Sequence, residues 1–198
     1  MINGERIYLR PVQKTDDKDI YEYAIDEDTG PMAGWPPHEN IETTQKIIEM
    51  WLNPEHTEQV YAIVYKENEK TIGTIGIQKL NNQIKDAKDG YVNDLIKNGV
   101  KTYELGCTIS KQYWNKGIAT DLLKITINYL FENTDAEVVV TAHYEENIGS
   151  KRAQEKNNMQ VVYAYEREKK WWKTDCTTMI VRAKTKEQWL QEKLEKEI

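Results

Sequence analysis

The sequence predicts an α/β protein with one central sheet that helices cover on both faces. Short strand-like runs alternate with helical patterns along the chain, and this alternation is typical of sheets packed between helices. One strand-like run leads through a glycine-containing turn directly into an amphipathic helix. The length of 198 residues suits a single domain, residues 1–198, which would bury about 70% of its unfolded surface.

The elements are predicted from the spacing of apolar residues, which differs between strands and helices. The predicted strands are 6–10, 60–66, 71–80, 102–109, 137–142, 160–165 and 173–183. The predicted helices are 16–25, 41–52, 118–131, 147–157 and 186–197. Pro36, Pro37 and Pro54 mark loops on either side of the second helix. Residues 81–101 are polar with little periodicity, so we expect an excursion between two strands.

Composition and charge narrow the classes of function. The chain has 27 Lys and Arg against 33 Asp and Glu, a net charge of −6, whereas domains that bind nucleic acid usually have a basic face. An acidic surface would attract a cationic substrate such as an amine, although a charge of this size also serves solubility alone. The sequence has neither an N-terminal apolar segment nor a run of about 18 apolar residues, so we expect a cytoplasmic protein without membrane contact.

The cysteines and histidines predict neither a disulfide framework nor a metal site. Cys107 and Cys176 are too few for a framework of disulfides. His38, His56 and His143 are too scattered along the chain for the spacing of metal ligands. Cys107 lies within a predicted strand, where we expect an inert core thiol rather than a nucleophile.

The turn before the helix at 118–131 is the strongest functional signal. Ile118 and Leu122 recur at helical spacing, so this helix buries one side against the sheet. Gly117 permits a positive φ or a close approach of the main chain to a ligand. The helix N-terminus directs free N–H groups at the same point, and Lys116 there opposes the helix dipole unless an anion binds. The pattern predicts a phosphate site, and the alternative is a tight turn into a core helix.

Three segments resemble the GNAT superfamily of N-acetyltransferases. The segment WNKGIAT at 114–120 is similar to the family's acetyl-CoA pyrophosphate loop, whose general form is Q/R-x-x-G-x-G/A. Trp in the first position is typical of the Rim-type branch, the ribosomal-protein N-terminal acetyltransferases. ERIYLRP at 5–11 resembles the first strand of this branch, and NIGSKRAQEK at 147–156 resembles its N-x-x-S-x-x-x-x-E-K helix. The three segments occur in the family's order.

The resemblance implies a GNAT fold, a mixed, mostly antiparallel central sheet of about seven strands flanked by helices. It implies a V-shaped split between strands 102–109 and 137–142, where the pantetheine arm of acetyl-CoA binds exposed main chain much as an added strand would. It also implies that acetyl-CoA is the co-substrate and donates its acetyl group directly to an amine in a ternary complex. The family analogy suggests a homodimer.

The residues expected to bind acetyl-CoA follow from the resemblance, position by position. They are Cys107, Thr108, Ile109, Trp114, Asn115, Lys116, Gly117, Ile118, Ala119, Thr120, Asn147, Ser150 and Lys151. Asn115 replaces a frequent Gly of the family and places a side chain beside the pyrophosphate. Lys151 and Arg152 lie in the first turn of their helix and again oppose the dipole, which indicates a nearby anion such as a CoA phosphate. Gly106 suits a bulge or a close ligand approach, and otherwise is an ordinary strand glycine.

Three residues are candidates for catalysis. Glu104 is an acid in an otherwise apolar strand, where burial would raise its pKa toward that of a useful base; the alternative is a surface carboxylate paired with a Lys. The resemblance implies that Ser150 protonates the CoA thiolate and that Asn147 orients the pantetheine or a water, although a helix cap is the simpler role. Many family members have Tyr seven residues after this Asn, where the chain has Gln154. A main-chain N–H near Cys107 would stabilise the oxyanion.

Aromatic side chains and Glu104 are the candidates for binding the acceptor. The segment from Met32 to His38, which includes Trp35, joins the first two predicted helices, in a region that borders the acceptor groove in this fold. Trp171 and Trp172 precede the last strand, on the opposite wall. Aromatic rings there would hold a cationic amine through cation–π contact, although packing is the commoner role of such residues.

The sequence therefore predicts a metal-independent N-acetyltransferase that acts on a primary amine, either a protein N-terminal α-amine or a small amine. The alternative is a non-catalytic acyl-CoA-binding or protein-interaction module on the same fold. Two departures from the family favour that alternative, namely Gln154 and the pair Asn158-Met159 where Gly-Phe is usual. Asn tolerates the left-handed conformation and Met can fill the space of Phe, so we expect the turn after this helix to be kept.

Overall fold

The computed structural model describes residues 1–80, 90–168 and 176–196. In these residues an eight-stranded sheet lies between helices, which confirms the predicted α/β fold. The strands are β1 (Ile2–Asn3), β2 (Ile7–Pro11), β3 (Gln59–Tyr65), β4 (Lys70–Lys79), β5 (Thr102–Ile109), β6 (Val138–Tyr144), β7 (Gln160–Glu168) and β8 (Cys176–Thr185). The helices are α1 (Asp17–Ala24), α2 (Thr29–Ala33), α3 (Ile41–Trp51), α4 (Gly90–Lys97), α5 (Ile118–Asn133), α6 (Ile148–Lys156) and α7 (Lys186–Lys196).

The strands are hydrogen-bonded in the order β1-β2-β3-β4-β5-β6-β8-β7. All neighbouring pairs are antiparallel except β5 and β6, which are parallel. A parallel pair needs a crossover connection, and α5 supplies it. The short β1 is the strand that the sequence analysis did not predict, because two residues are too few to show alternation.

Each face of the sheet has its own core, because side chains alternate along a strand. On one face, Ile75 and Leu105 belong to a core with Leu122 of α5; we call this the α5 face. On the opposite face, Val60 packs against a core that includes Ile48 of α3; we call this the α3 face. Residues paired across neighbouring strands share a face, so the face of any strand residue follows from the register.

β5 and β6 pair only over their first halves. The parallel pairing joins residues 102–105 to residues 138–141 and ends there, whereas β5 stays paired with β4 as far as Ile109. At the last rung the Thr141 hydroxyl donates a hydrogen bond of 2.9 Å to the carbonyl of Leu105. Beyond this rung the two strands diverge, and the predicted V-shaped split is confirmed.

Two helices depart from the predictions. α2 has the sequence TGPMA, and Gly and Pro are weak helix formers; the Asp26 carboxylate holds its start by accepting hydrogen bonds from the N–H and hydroxyl of Thr29. α4 lies within 81–101, where we expected no periodic structure. Its Leu95 packs against apolar side chains of β6 and β8, so tertiary contact supports a helix whose local signal is weak. Residues 81–89 lie outside the described residues.

The local signals around α6 are confirmed. The Asn147 side chain caps the helix and accepts a hydrogen bond of 3.0 Å from the Ser150 N–H. Asn158 after the helix is left-handed, with φ 57°, and Met159 is buried in the core. Asn and Met therefore replace the family's Gly-Phe without loss of the turn.

Across residues 1–80, 90–168 and 176–196, each helix is too short or too polar to cross a bilayer. Over the same residues, no three side chains of His, Cys, Asp or Glu lie together in an arrangement that would hold a metal ion.

Candidate active site

A cavity of about 360 Å³ opens where β5 and β6 diverge. Its walls come from α2, the end of β5, the turn before α5, Thr141 of β6 and the first turns of α6. α2 belongs to the α3 face, because Gly30 packs on Trp35 and Trp35 packs with the α3 core. The turn before α5 leads to the opposite face. The cavity therefore passes through the sheet at the split and connects its two faces.

The turn at one end of the cavity presents main-chain N–H groups. Asn115 and Gly117 are both left-handed, with φ 60° and 77°. The first main-chain hydrogen bond of α5 runs from the Asp121 N–H to the Gly117 carbonyl at 3.1 Å, so the N–H groups of residues 118–120 have no partner within the helix. All three residues line the cavity. Such N–H groups at a helix N-terminus suit an anion, above all a phosphate.

Contacts from distant parts of the sequence hold this turn in place. Arg6 donates hydrogen bonds to the carbonyl of Lys116 and to the carboxylate of Asp121. Trp114 donates its indole N–H to the carbonyl of Ile109 at 2.7 Å, which ties the turn to the end of β5. Neither contact uses the N–H groups at the start of α5. The turn is fixed while its anion-binding groups still face the cavity.

The α6 wall of the cavity carries two hydrogen-bonded polar side chains. Gln154 donates an amide N–H to the hydroxyl oxygen of Ser150 at 2.9 Å. Gln154 is only 1% exposed, and its carbonyl oxygen has no hydrogen-bond partner among the described residues. Since buried polar atoms are nearly always paired, this oxygen fits a donor that a bound ligand would supply. Because Ser150 accepts from Gln154, the Ser150 proton can be donated into the cavity.

Most residues expected to bind acetyl-CoA line this cavity. They are Cys107, Thr108, Ile109, Trp114, Asn115, Gly117, Ile118, Ala119, Thr120, Asn147 and Ser150. Lys116 and Lys151 are not among the lining residues, and the Lys116 ammonium lies 5.2 Å from the centre of the Tyr113 ring. The cationic side chains of the cavity wall are Arg152 and Lys156.

Arg152 was expected near an anion and lines the cavity, whereas the sequence analysis missed Lys156. The two residues are four apart and share one side of α6, so helical spacing could have identified Lys156. Met32 and Ala33 also line the cavity, within the segment that was expected to border the acceptor groove, although the helix α2 to which they belong was not predicted. Gln154 was noted only as the replacement of a Tyr, and its hydrogen bond to Ser150 follows the i, i+4 geometry of a helix.

Glu104 does not have the buried setting that we expected. It lies on the α3 face of β5 and is exposed, because the described residues leave this part of the face uncovered. The expectation of a carboxylate activated by burial is therefore wrong at Glu104. Its contribution to catalysis or to acceptor binding stays a prediction.

Cys107 is exposed, so the expectation of a core position is wrong, whereas desolvation raises the pKa of its thiol to about 11, in keeping with the expected inert thiol. The residue lies just beyond the last rung of β5–β6 pairing, where β6 has diverged and no longer covers the strand. Cys107 instead forms part of the cavity wall.

The aromatic candidates for acceptor binding fall into two groups. Trp35 is partly buried, with its ring 5.1 Å from that of His38 and in contact with Gly30. These contacts give Trp35 a packing role on the α3 face, and its contact with an acceptor stays a prediction. Trp171 and Trp172 lie outside the described residues.

The comparison with protein families yields one match. Residues 6–160 match the model of the acetyltransferase (GNAT) domain. This range includes the turn, the cavity and the residues of α6 described above.

Solved structures of similar fold include several acetyltransferases. A GNAT-family acetyltransferase from Bacillus anthracis has a TM-score of 0.72 and 20% identity, over 94% of this chain and 98% of that chain. Spermidine N-acetyltransferase from Vibrio cholerae, in complex with CoA and spermine, has a TM-score of 0.73 and 13% identity, over 94% and 99%. The ribosomal-protein-S5-alanine acetyltransferase from Vibrio fischeri has a TM-score of 0.67 and 15% identity, over 94% and 97%. At such identities the likeness is one of fold.

Proposed function

The chain belongs to the GNAT acetyltransferase domain family, so it is an acetyl-CoA-dependent N-acetyltransferase, and we propose that its acceptor is a primary amine that enters from the α3 face of the sheet. The proposed reaction is a direct transfer in a ternary complex. The cofactor would lie on the α5 side of the cavity, with its pyrophosphate at the N–H groups of residues 118–120.

The observation that supports this proposal is the course of the cavity through the split between β5 and β6. Its phosphate-binding end lies at the turn around Gly117, and its other end reaches α2 on the α3 face. A cofactor that follows the cavity would carry its thioester to the point where Cys107 and Thr108 line it. An amine could reach the thioester there without displacing the cofactor.

Acetyl transfer has requirements that the described residues can meet. The acceptor ammonium must lose a proton before its nitrogen attacks the thioester carbon. A main-chain N–H of β5 near Cys107 would stabilise the oxyanion that forms. As the C–S bond breaks, the thiolate gains a proton, which Ser150 would donate. Asn147 would keep the start of α6, and with it Ser150, in position.

Two kinds of acceptor are compatible with these features. The resemblance of 114–120 and 147–156 to the Rim-type branch favours a protein N-terminal α-amine, and the Vibrio fischeri neighbour is named as a ribosomal-protein-S5-alanine acetyltransferase. The net charge of −6 and the exposed Glu104 favour a cationic small amine, of the kind bound by the Vibrio cholerae neighbour. We propose the N-terminal α-amine as the first choice, because a motif is more specific than a net charge.

Cofactor binding is tested first, by thermal unfolding with acetyl-CoA and with ATP and NAD as controls. A ligand at 100 times its Kd stabilises the folded state by about 2.7 kcal/mol. We expect a higher melting temperature with acetyl-CoA and not with the two nucleotides. An equal rise with all three ligands would mean a general phosphate site.

Acceptor choice is tested by thiol release from acetyl-CoA with a peptide that begins with alanine and with spermine. Faster release with the peptide supports the first choice, and faster release with spermine supports the small amine. Cofactor binding without release by either would contradict both acceptor classes.

A further inference from the structure

Glu58 directly precedes β3, and its carboxyl group lies against the main chain of Gly76 on β4. A β-carbon at position 76 would overlap this carboxyl group. The carboxylate therefore occupies a place that exists only because residue 76 has no side chain. Val60 pairs with Gly76 and packs with the α3 core, so Glu58 lies on the α3 face, the side from which we propose that the acceptor enters.

Gly76 is paired with a second glycine, Gly106 of β5. A β-carbon at Gly106 would meet no described atom within 4 Å, so the space above this residue is open. The two glycines form a depression that we call the glycine slot. Glu58 fills one half of the slot, and the half above Gly106 can receive a ligand.

The glycine slot adjoins the end of the cavity where the acetyl group is expected. Gly106 directly precedes Cys107 and Thr108, which line the cavity. Neighbouring strands are about 4.8 Å apart, so the Glu58 carboxylate is about one strand spacing from the open half. An amine nitrogen that enters the slot beside Glu58 would lie about 2.8 Å from a carboxylate oxygen. The same nitrogen would lie about 3–3.5 Å from the thioester carbon that it attacks.

The setting of Glu58 differs from that of Glu104. Glu104 is exposed, whereas the Glu58 side chain is 34% exposed and lies 3.7 Å from His56. Burial raises the pKa of the Glu58 carboxyl, and the charge of His56, its titratable neighbour, partly opposes this. Glu104 lies two strands away, on β5 and on the same face, and Gln78 of β4 lies between the two acids in the register. A raised pKa suits a base that must accept and then release a proton near neutral pH.

We propose that Glu58 is the general base of the acetyl transfer and accepts a proton from the acceptor ammonium in the glycine slot. The inference rests on the proposed function, because it takes the thioester to lie beside Cys107. Glu104, two residues before Gly106 on the same face of β5, then helps to attract the cation.

The proton balance of this reaction is complete without a further reagent. Glu58 takes one proton from the ammonium, and the neutral amine forms the C–N bond with the thioester carbon. The C–S bond then breaks and Ser150 gives its proton to the departing thiolate. The second proton of the nitrogen passes through solvent to Ser150 and restores its hydroxyl. Glu58 releases its proton to solvent, so the products are the amide, free CoA and one proton.

The first test compares Glu58→Gln, Glu104→Gln and Glu55→Gln, where Glu55 is an exposed acid of the same loop. The readout is kcat/KM against pH with the alanine peptide or spermine. We expect Glu58→Gln to lower kcat by about 100-fold or more and to remove the fall in rate on the acid side. Glu104→Gln should mainly raise KM, and Glu55→Gln should change neither.

The second test needs no acceptor. A carboxyl with a raised folded-state pKa stabilises the fold below its ordinary pKa, and this stability is lost as pH rises through the raised value. The melting temperature of Glu58→Gln relative to wild type should therefore be higher at pH 8 than at pH 5. Melting temperatures of the two proteins that differ by the same amount at pH 5 and pH 8 would overturn the inference. So would a fall in kcat/KM at acid pH that survives in Glu58→Gln and disappears in Glu104→Gln.

A third variant separates the position of the carboxylate from its presence. Gly76→Ala should push the Glu58 carboxyl out of the slot while Glu58 itself remains, since only a flexible side-chain end must move. We expect a loss of kcat similar to that of Glu58→Gln, with unchanged acetyl-CoA affinity by calorimetry. Full activity of Gly76→Ala would contradict the role of Glu58 as general base. A wild-type protein that does not bind acetyl-CoA would instead contradict the proposed function.

Discussion

Two hydrogen bonds place Ser150 in the cavity wall. Its N–H is bound by the Asn147 side chain, and its hydroxyl oxygen accepts from Gln154. The second bond leaves the hydroxyl proton as the group that can be donated to a thiolate. Gln154 is therefore a positioning residue for Ser150 rather than a proton donor itself, because an amide has no proton to give near neutral pH.

Replacement of Gln154 by Leu tests this role. We expect kcat to fall about tenfold while acetyl-CoA affinity changes little, since one net hydrogen bond of about 1 kcal/mol is lost. The decisive measurement is a double-mutant cycle with Ser150→Ala. If Gln154 acts through Ser150, Gln154→Leu should have no further effect on kcat in the Ser150→Ala background. Additive losses would mean that Gln154 contacts the reacting atoms in another way.

At the scale of elements, the turn before α5 combines a local conformation with distant supports. Gly117 and Asn115 supply the left-handed conformations, and Arg6 and Trp114 hold the turn from β2 and β5. A side chain at Gly117 would be strained by its φ of 77°, and its β-carbon would lie 3.0 Å from Arg6. A substitution at Gly117 would therefore strain the turn and crowd the Arg6 side chain that supports it.

Gly117→Asp should abolish acetyl-CoA binding, because it places a negative charge where the pyrophosphate is expected. It should also lower the free energy of unfolding by about 1–2 kcal/mol, since a left-handed residue with a side chain is strained. Gly99→Asp is the matched control, with φ 75° and no described atom near its β-carbon. Both variants should lose similar stability in urea, but only Gly117→Asp should lose affinity in calorimetry. Equal acetyl-CoA affinity in both would remove the turn from the binding site.

At the scale of the whole molecule, Asp16 joins the start of α1 to the sheet. Its carboxylate is 3% exposed and accepts hydrogen bonds from Arg10 of β2, the Thr71 hydroxyl of β4 and the Gln13 N–H. Burial by itself would raise the pKa of Asp16, but these hydrogen bonds outweigh burial and lower it. The stability that this carboxylate contributes is therefore present above its ordinary pKa of about 3.9 and is lost as pH falls through the lowered value.

Asp16→Asn should lower the free energy of unfolding at pH 7 by about 3 kcal/mol, because it breaks a buried pair and leaves Arg10 without its partner. The difference from wild type should shrink as pH falls below about 4, where the wild-type carboxyl also becomes neutral. Glu49→Gln, which breaks the exposed pair with Lys14, should cost less than about 1 kcal/mol. Urea unfolding at pH 7 and pH 3 checks both, and equal losses in the two variants would contradict the structural role of Asp16.

Predictions from the sequence succeeded where the signal lies within a few neighbouring residues. The cap at Asn147, the left-handed Asn158 and the strands with clear alternation are examples, because short-range hydrogen bonds and side-chain period decide them. Predictions failed where distant residues decide burial. Glu104 and Cys107 were expected to be buried on the basis of their strand. Divergence of β6 exposes Cys107, and Glu104 lies on a part of the α3 face that the described residues leave uncovered.

The sequence by itself determined the order of the predicted strands and helices, the family and the glycine turn before α5, since glycine conformation, capping and helical period are local properties. It did not indicate β1, α2 or α4. Only the tertiary structure decided which side chains meet across the sheet. Arg6 reaches Lys116 over a separation of 110 residues, and Glu58 meets Gly76 because β3 and β4 pair in one register. A shift of the β3–β4 register by one residue would place Glu58 and Gly76 on opposite faces of the sheet. No local pattern specifies the pairing of two distant strands.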